Sequence, residues 1–215
     1  MQDMERISSF IKSFIMDDAD KELSSIYNDA IKRGVPVIRP ETRELLKTQI
    51  LLKKPAKILE IGTAVGYSSL LMSQYIDFAA TITTIELDEA RADEACANIK
   101  KLGKDKVINV LRGDAAEVLK TLNDDTYDLI FVDAAKGQYI NYYEDVLRVS
   151  KCEALIISDN VLQDGDVLES HFTVEKRNRT IHGRMREYLY TLTHDERVTT
   201  AILSSGDGVA LSIRK

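Results

Sequence analysis

Residues 57–68 read KILEIGTAVGYS, an apolar run followed directly by two closely spaced glycines. The run predicts a buried strand, and Gly62 and Gly66 predict a tight turn from that strand into a helix, because glycine adopts turn conformations without steric strain. Such a turn allows a ligand to contact the backbone. The spacing is G-x-x-x-G, whereas a dinucleotide loop reads G-x-G-x-x-G, so we expect a ligand that lacks a pyrophosphate.

Short apolar runs alternate with helical stretches along the rest of the chain. The predicted strands are 57–62, 81–87, 107–113, 127–133 and 154–160, and the predicted helices are 41–53, 66–76, 88–101, 115–122 and 138–150, with two more helices within residues 3–33. This alternation predicts an α/β fold with a parallel sheet and helices on both faces. Two last runs, 198–205 and 208–215, meet at Gly206, Asp207 and Gly208, a spacing that requires an antiparallel hairpin. We therefore expect a seven-stranded, mostly parallel sheet that ends in a hairpin.

The composition suits one globular domain spanning residues 1–215. The chain is 44% hydrophobic and 30% charged, with a formal net charge of -6 and a pI near 5.2. That charge argues against a protein whose whole surface binds nucleic acid, although a local basic patch is compatible with it. We expect a cytoplasmic protein with no signal peptide and no membrane partner, in which Cys96 and Cys152 are buried free thiols.

Polar residues follow the second and third predicted strands where those strands end. Glu86 stands at the end of the second strand, where an acid can accept hydrogen bonds from both hydroxyls of a ribose. Asp114 and Ala115 follow the third strand and are expected to meet an adenine edge. Because the carboxyl ends of parallel strands meet at one rim of a sheet, these positions predict a nucleoside site there.

Two carboxylates and an amide follow the fourth and fifth predicted strands, in the runs Asp133-Ala134-Ala135-Lys136 and Asp159-Asn160. They can converge on one ion, and oxygen ligands favour a hard cation such as Mg²⁺. The three histidines lack the spacing of a zinc site. The alternative is an ordinary strand-end acid and a simple turn pair, but their shared rim with the nucleoside site favours a metal.

These motifs resemble those of class I S-adenosylmethionine methyltransferases with a Rossmann-like fold. The DAxK and DN runs are similar to the cation-dependent O-methyltransferases, which include catechol and caffeoyl-coenzyme A enzymes, and the similarity extends from Gly34-Val35-Pro36-Val37 to the terminal hairpin. The resemblance implies S-adenosylmethionine and Mg²⁺ (or Mn²⁺) as cofactors. It implies cofactor contacts at Val37, Glu60, Gly62, Thr63, Ser68, Glu86, Asp114, Ala115 and Asp133. It also implies metal ligands at Asp133, Asp159 and Asn160, and catalytic roles for Asp133 and for Lys136 as the candidate base.

One position departs from that family pattern. Plant coenzyme A enzymes have a second aspartate where this chain has Ala135, so their substrate is not carried over. Residues 36–215 are expected to form the catalytic core, and residues 1–35, which hold no catalytic motif, an N-terminal helical lid or dimer segment. Apolar residues recur there at helical spacing and predict packing or dimer contacts: Ile7, Phe10, Ile11 and Phe14.

A basic cluster stands out in this acidic chain, formed by Lys176, Arg177, Arg179, His182, Arg184 and Arg186. Arginines at this density can contact several phosphates, or they can form a solvated helix face with nearby acids. The other two histidines, His171 and His194, are expected at the surface, as is His182.

The runs GVPVIRPE (34–41) and RNRTIHGRMREY (177–188) resemble the bacterial tRNA 5-hydroxyuridine methyltransferase branch of the family. The resemblance implies that a homodimer methylates 5-hydroxyuridine at the wobble position to 5-methoxyuridine. It implies that the anticodon arm is held by Arg39, Arg177, Arg179, Arg184 and Arg186, and that Lys136 also contacts the substrate. Two alternatives stay open: a small-molecule O-methyltransferase acting on catechols or other phenols, and a nonenzymatic or nicotinamide-binding α/β protein, which the G-x-x-x-G spacing disfavours.

Overall fold

The computed structural model describes residues 2–18, 20–170 and 173–215. Seven strands form one sheet: β1 (Lys57–Ile61), β2 (Thr81–Glu86), β3 (Ile108–Arg112), β4 (Tyr127–Val132), β5 (Ser150–Ser158), β6 (Val198–Leu203) and β7 (Val209–Arg214). Their order is β3-β2-β1-β4-β5-β7-β6. The first five strands pair in parallel, and β7 is antiparallel to both β5 and β6. The predicted mostly parallel sheet with a terminal antiparallel hairpin is confirmed.

Eight α-helices surround the sheet: α1 (Gln2–Lys12), α2 (Lys21–Lys32), α3 (Pro40–Lys53), α4 (Tyr67–Met72), α5 (Glu89–Lys101), α6 (Ala115–Thr121), α7 (Tyr139–Val149) and α8 (Arg179–His194) among the described residues. Two short 3₁₀ turns, Gln163–Leu168 and Lys176–Asn178, connect β5 to α8. Helix α4 ends earlier than the predicted 66–76. The hydroxyl of Ser73 donates to the carbonyl of Leu70 at 2.7 Å, and such a bond competes with continuation of the helix.

Apolar side chains alternate along the central strands and build a core on each face of the sheet. Leu59 and Ile61 of β1 join the core that also contains side chains of α6, α7 and α8. Ile58 faces the other way, into the core shared with α2, α3, α4 and α5. Complete burial of each such side chain contributes roughly 1.5–3 kcal/mol. Both helix layers are therefore needed, and the prediction of helices on both faces is confirmed.

The two N-terminal helices differ in how they pack. Helix α2 buries Leu23 and Ala30 completely in the core, so it is part of the folded layer. Helix α1 and the turn after it leave Phe10 and Phe14 exposed, with their rings in edge contact at a centroid distance of 5.0 Å. Within the described ranges, no helix combines the length and apolarity that crossing a membrane requires.

The two cysteines are both free thiols. Cys96 is half-buried and Cys152 is exposed, so the prediction that both are buried was wrong. Strand β5 begins at Ser150, earlier than predicted, and β7 pairs with it only from Leu155 onward. Cys152 therefore lies on a part of the strand that β7 does not cover.

Candidate active site

A cleft of about 740 Å³ opens at the carboxyl ends of the parallel strands. It lies where the order of the sheet reverses, between β1 and β4, which is the usual ligand site of an open α/β sheet. Most of the residues predicted from the sequence line it: Val37, Arg39, Gly62, Thr63, Ser68, Glu86, Asp114, Ala115, Asp133, Lys136 and Asn160. The cleft at this rim is therefore large enough for the nucleoside that the sequence predicts there.

The carboxylate of Glu86 is fixed by backbone donors. The amide of Ala64 donates to its Oε2 at 2.8 Å, and the amide of Asp88 donates to its Oε1 at 2.9 Å. Ala64 adopts a positive φ of 46°, an unusual conformation for a non-glycine residue. The turn after β1 is thus shaped to meet the acid at the end of β2, and each Glu86 oxygen keeps a further lone pair for a ligand.

The acid at the end of β3 has a structural contact of its own. Asp114 is the N-cap of α6 and accepts a hydrogen bond from the amide of Ala116 at 2.9 Å. Sequence reasoning missed several residues that line this end of the cleft, including the polar side chains of Asp88, Arg91 and Tyr142. Asp88 follows the end of β2 and caps α5, so its position beside Glu86 was the available signal.

Glu60 is not among the residues that line the cleft. It is fully buried behind the loop, where its Oε2 accepts hydrogen bonds from the hydroxyls of Ser69 and, at 2.6 Å, of Thr84. Burial raises the pKa of Glu60 to about 7, partly offset by these hydroxyl donors. The structure therefore places Glu60 beneath the loop, and its contact with the cofactor stays a prediction.

The three candidate metal ligands lie together beyond the ends of β4 and β5. The side-chain amide of Asn160 donates to Oδ1 of Asp133 at 2.9 Å. Oδ1 of Asp159 accepts from the Thr42 hydroxyl at 3.0 Å and from the Asn160 backbone amide at 2.9 Å. The other oxygen of Asp159, Oδ2, is buried and has no hydrogen-bond partner among the described residues. An orphaned carboxylate oxygen of this kind is costly unless a cation or another donor satisfies it.

Electrostatics at this cluster also favour a cation. Burial raises the pKa of Asp133, and the neighbouring charges of Asp159 and Glu60 raise it further. Burial likewise raises the pKa of Asp159, against the hydrogen bonds from Asn160 and Thr42. No group of three or more His, Cys, Asp or Glu side chains suited to a metal occurs in the part of the chain that the structure describes, so the amide oxygen of Asn160 would have to complete the set. Two carboxylates and an amide fit a hard divalent cation.

Sequence reasoning missed one acid at the rim, Asp207 in the β6–β7 turn. Its Oδ2 lies 3.3 Å from Nζ of Lys136 and 3.8 Å from Nη2 of Arg39. The turn was predicted from its two glycines, but no local signal indicated that it reaches the cleft.

The basic cluster lies beside the cleft but does not line it. Arg177 is exposed and pairs with Glu175 at 2.7 Å. Three other arginines donate to backbone carbonyls of neighbouring loops: Arg179 to Val174 at 3.1 Å, Arg184 to Gly137 at 3.2 Å and Arg186 to Glu169 at 3.3 Å. The cluster therefore also holds neighbouring loops, and through Arg184 it contacts the residue that follows Lys136 of the cleft.

The histidine predictions are partly wrong. His182 is 2% exposed, with Nε2 lying 3.2 Å from the carbonyl of Glu169, because it faces the interior side of α8 beneath the preceding loop. His194 is exposed, as expected, and stacks on Tyr190. His171 lies outside the described residues.

The sheet order, the cleft at its switch point and the acids at successive strand ends define a class I methyltransferase fold. Residues 21–215 match a family model described as O-methyltransferase. The chain is 32% identical over 159 residues to the catechol O-methyltransferase of Niastella koreensis, covering 72% of each chain. It is 32% identical over 183 residues to the caffeoyl-CoA O-methyltransferase of Stellaria longipes, covering 81% of this chain and 75% of that one.

Its fold is similar to that of the O-methyltransferase from Bacillus cereus crystallised in complex with SAH, with a TM-score of 0.84 and 23% identity over 99% of this chain and 100% of that one. The chain belongs to the family of class I S-adenosylmethionine O-methyltransferases.

Proposed function

We propose that this protein transfers the methyl group of S-adenosylmethionine to the 5-hydroxyl of 5-hydroxyuridine at the tRNA wobble position, giving 5-methoxyuridine. The observation that carries the proposal is that a nucleoside-sized cleft, the half-buried carboxylate of Asp133 and the buried carboxylate of Asp159 share one rim, next to exposed arginines. The 5-hydroxyl and the adjacent 4-carbonyl of this nucleoside offer two oxygens to one cation, as a catechol does.

Asp133, Asp159 and Asn160 would hold Mg²⁺ (or Mn²⁺), which supplies Lewis-acid stabilisation of an acceptor oxyanion. The orphaned Oδ2 of Asp159 supports this assignment. Thr42 keeps the other oxygen of Asp159 oriented through its hydrogen bond of 3.0 Å.

The transfer itself forms a carbon–oxygen bond as the carbon–sulfur bond of the sulfonium breaks. The acceptor hydroxyl loses its proton, and Nζ of Lys136, in its uncharged amine form, is our candidate for receiving it. Glu86 would accept hydrogen bonds from the ribose hydroxyls of the donor, because its carboxylate is already held by two backbone amides. Much of the acceleration would come from holding donor and acceptor in line.

Surface charge supports an RNA acceptor. The protein carries a net charge of -6, yet Arg177, Arg184 and Arg186 are exposed near the start of α8. Arg184 reaches the carbonyl of Gly137, the residue after Lys136, so the basic surface borders the cleft. Phosphates of the anticodon arm could bind there while Arg39 meets the target nucleotide at the rim.

A small phenol is the second candidate acceptor, because the relatives named above are catechol and caffeoyl-CoA enzymes. The deciding experiment incubates the protein with Mg²⁺, labelled S-adenosylmethionine and tRNA that carries 5-hydroxyuridine, and then measures 5-methoxyuridine by nucleoside mass spectrometry. We expect that product to form. Absence of 5-methoxyuridine together with rapid methylation of catechol would overturn the tRNA assignment.

Removing surface charges near α8 provides a second way to distinguish a tRNA acceptor from a small phenol. In a Lys176→Gln/Arg177→Gln variant, which removes two exposed charges just before α8, we expect a higher KM for tRNA and a weaker salt dependence, with catechol methylation unchanged. The control is Lys120→Gln, an exposed cation in the last turn of α6, away from the end of that helix that lines the cleft. Equal effects of both changes on tRNA methylation would argue against an RNA surface at α8.

We also propose that the protein is a homodimer that uses the N-terminal segment. Four apolar side chains of α1 and the following turn are exposed: Ile7, Phe10, Ile11 and Phe14. Exposed apolar clusters often mark contact surfaces. Light scattering should report a dimer that Phe10→Ser/Phe14→Ser converts to a monomer, whereas Phe78→Ser, at a fully exposed turn position, leaves the mass unchanged.

A further inference from the structure

Asp207 is a buried carboxylate that faces two basic side chains at the mouth of the cleft. It is only 4% exposed, although it lies in a hairpin turn. Its Oδ2 is 3.3 Å from Nζ of Lys136 and 3.8 Å from Nη2 of Arg39. Those two side chains come from different elements, the loop after β4 and the segment before α3, and both line the cleft.

The turn that carries Asp207 is held tightly against the site. Gly206 and Gly208 have positive φ values of 61° and 82°. A Cβ on Gly206 would approach the hydroxyl of Thr42 to 3.2 Å, and one on Gly208 would approach Cγ of Leu162 to 2.3 Å. Leu162 also donates its amide to the carbonyl of Asp207 at 2.9 Å.

These contacts hold the turn that carries the Asp207 carboxylate at the rim of the cleft. The segment that pins it, Val161 and Leu162, directly follows the candidate metal ligand Asn160. Thr42, against which Gly206 packs, is the hydroxyl that orients Asp159. The hairpin tip therefore packs against Thr42, which orients Asp159, and against the segment that follows Asn160.

We propose that Asp207 is a positioning residue for methyl transfer: its carboxylate orients Lys136 and Arg39 toward the acceptor before that acceptor binds. Long basic side chains otherwise sample many rotamers, and ordering them in advance removes an entropic penalty from binding and reaction. The inference rests on the proposed function, because it takes Lys136 and Arg39 to act on the acceptor.

The first test is Asp207→Asn, which keeps the shape of the side chain and removes its charge. We expect kcat/KM for the acceptor to fall roughly tenfold to a hundredfold, as expected for misplaced reacting groups. Affinity for S-adenosylmethionine by calorimetry and the thermal unfolding midpoint should stay near the wild-type values. The control is Asp125→Asn, which removes an exposed ion pair with Arg214 ahead of β4, at the opposite ends of the strands.

A double-mutant cycle separates positioning from a purely structural role. If Asp207 acts through Lys136 and Arg39, Asp207→Asn should change kcat/KM less than about twofold when Lys136→Met and Arg39→Met are already present. Fully additive losses would overturn the proposal. Should Asp207→Asn fail to fold, a cycle between Lys136→Met and Arg39→Met takes its place. If one carboxylate orients both side chains, the losses in kcat/KM caused by Lys136→Met and Arg39→Met should be non-additive. Additive losses would overturn the proposal.

A third measurement does not depend on turnover. Reductive ¹³C-methylation gives each lysine an NMR signal, and the signal of Lys136 is assigned by its absence in Lys136→Arg. We expect Asp207→Asn to shift this signal and Asp125→Asn to leave it in place. An unshifted signal would overturn the inference. If the signal shifts but 5-hydroxyuridine is not methylated, the tRNA proposal fails while the positioning role stands, and the cycle is then repeated with catechol.

Discussion

A Cβ at position 62 would lie 2.1 Å from the carbonyl oxygen of Asp133. Gly62 also has a φ of +103°, a conformation that side chains with a Cβ rarely adopt. The loop after β1 and the end of β4 therefore touch through their main chains. This contact sets the cofactor loop and a candidate metal ligand at a fixed separation, without depending on flexible side chains.

We predict that Gly62→Ala disrupts both sites at once. The positive φ and the backbone collision together should lower the free energy of unfolding by about 2–5 kcal/mol. Gly103→Ala is the matched control, because Gly103 also has a positive φ, 65°, but a Cβ there meets nothing within 4 Å. Urea unfolding and calorimetry with S-adenosylmethionine measure the two effects. Equal losses in the two variants would show that the collision with Asp133 is relieved by local movement.

Metal binding should weaken as the pH falls. The pKa values of Asp133 and Asp159 are raised by burial, and a cation binds the deprotonated carboxylates, so protons and cation compete. We expect the thermal stabilisation by added Mg²⁺ to be larger at about pH 8 than at about pH 5.5. Asp159→Asn should lose most of this stabilisation. A Mg²⁺ effect that is independent of pH, or retained in that variant, would contradict the assignment.

Glu60 should make the folded state less stable as the pH rises. Its folded pKa of about 7 lies above the ordinary value of 4.5, so the stability contributed by its protonated form is complete below pH 4.5 and is lost as the pH rises to about 7. Glu60→Gln removes this titration. We expect the variant to be more stable relative to wild type at about pH 8 than at about pH 5, measured as the difference between their free energies of unfolding. The comparison is Glu117→Gln, a change of the same kind at an exposed acid of α6.

Removal of the Lys136 side chain should affect chemistry more than binding. We expect Lys136→Ala to lower kcat by roughly 10²–10⁴-fold, the usual contribution of a general base, while affinity for Mg²⁺ and S-adenosylmethionine is retained. Single-turnover kinetics give the rate of the chemical step, and calorimetry gives the two affinities. Unchanged turnover would remove Lys136 from the mechanism.

Local sequence pattern was sufficient for the strand and helix order and for most of the cleft. The acids Glu86, Asp114 and Asp133 each follow an apolar run, and in a parallel sheet the ends of such runs share a rim. Strand identity and residue type are both local properties, so the order of residues along the chain is enough to predict these positions. The hairpin was predictable for the same reason, because few residues separate its strands.

Tertiary packing decided the rest, because it depends on contacts between segments that are distant in sequence. Whether β6 or β7 pairs with β5 is not encoded in either strand alone, and it is β7 that carries the adjoining turn to the rim. Asp207 consequently meets Lys136 across 71 residues of sequence, and Glu60 lies behind the loop that it precedes. The sequence by itself determined which strand ends hold the chemistry, whereas only the folded chain determined which remote side chains orient it.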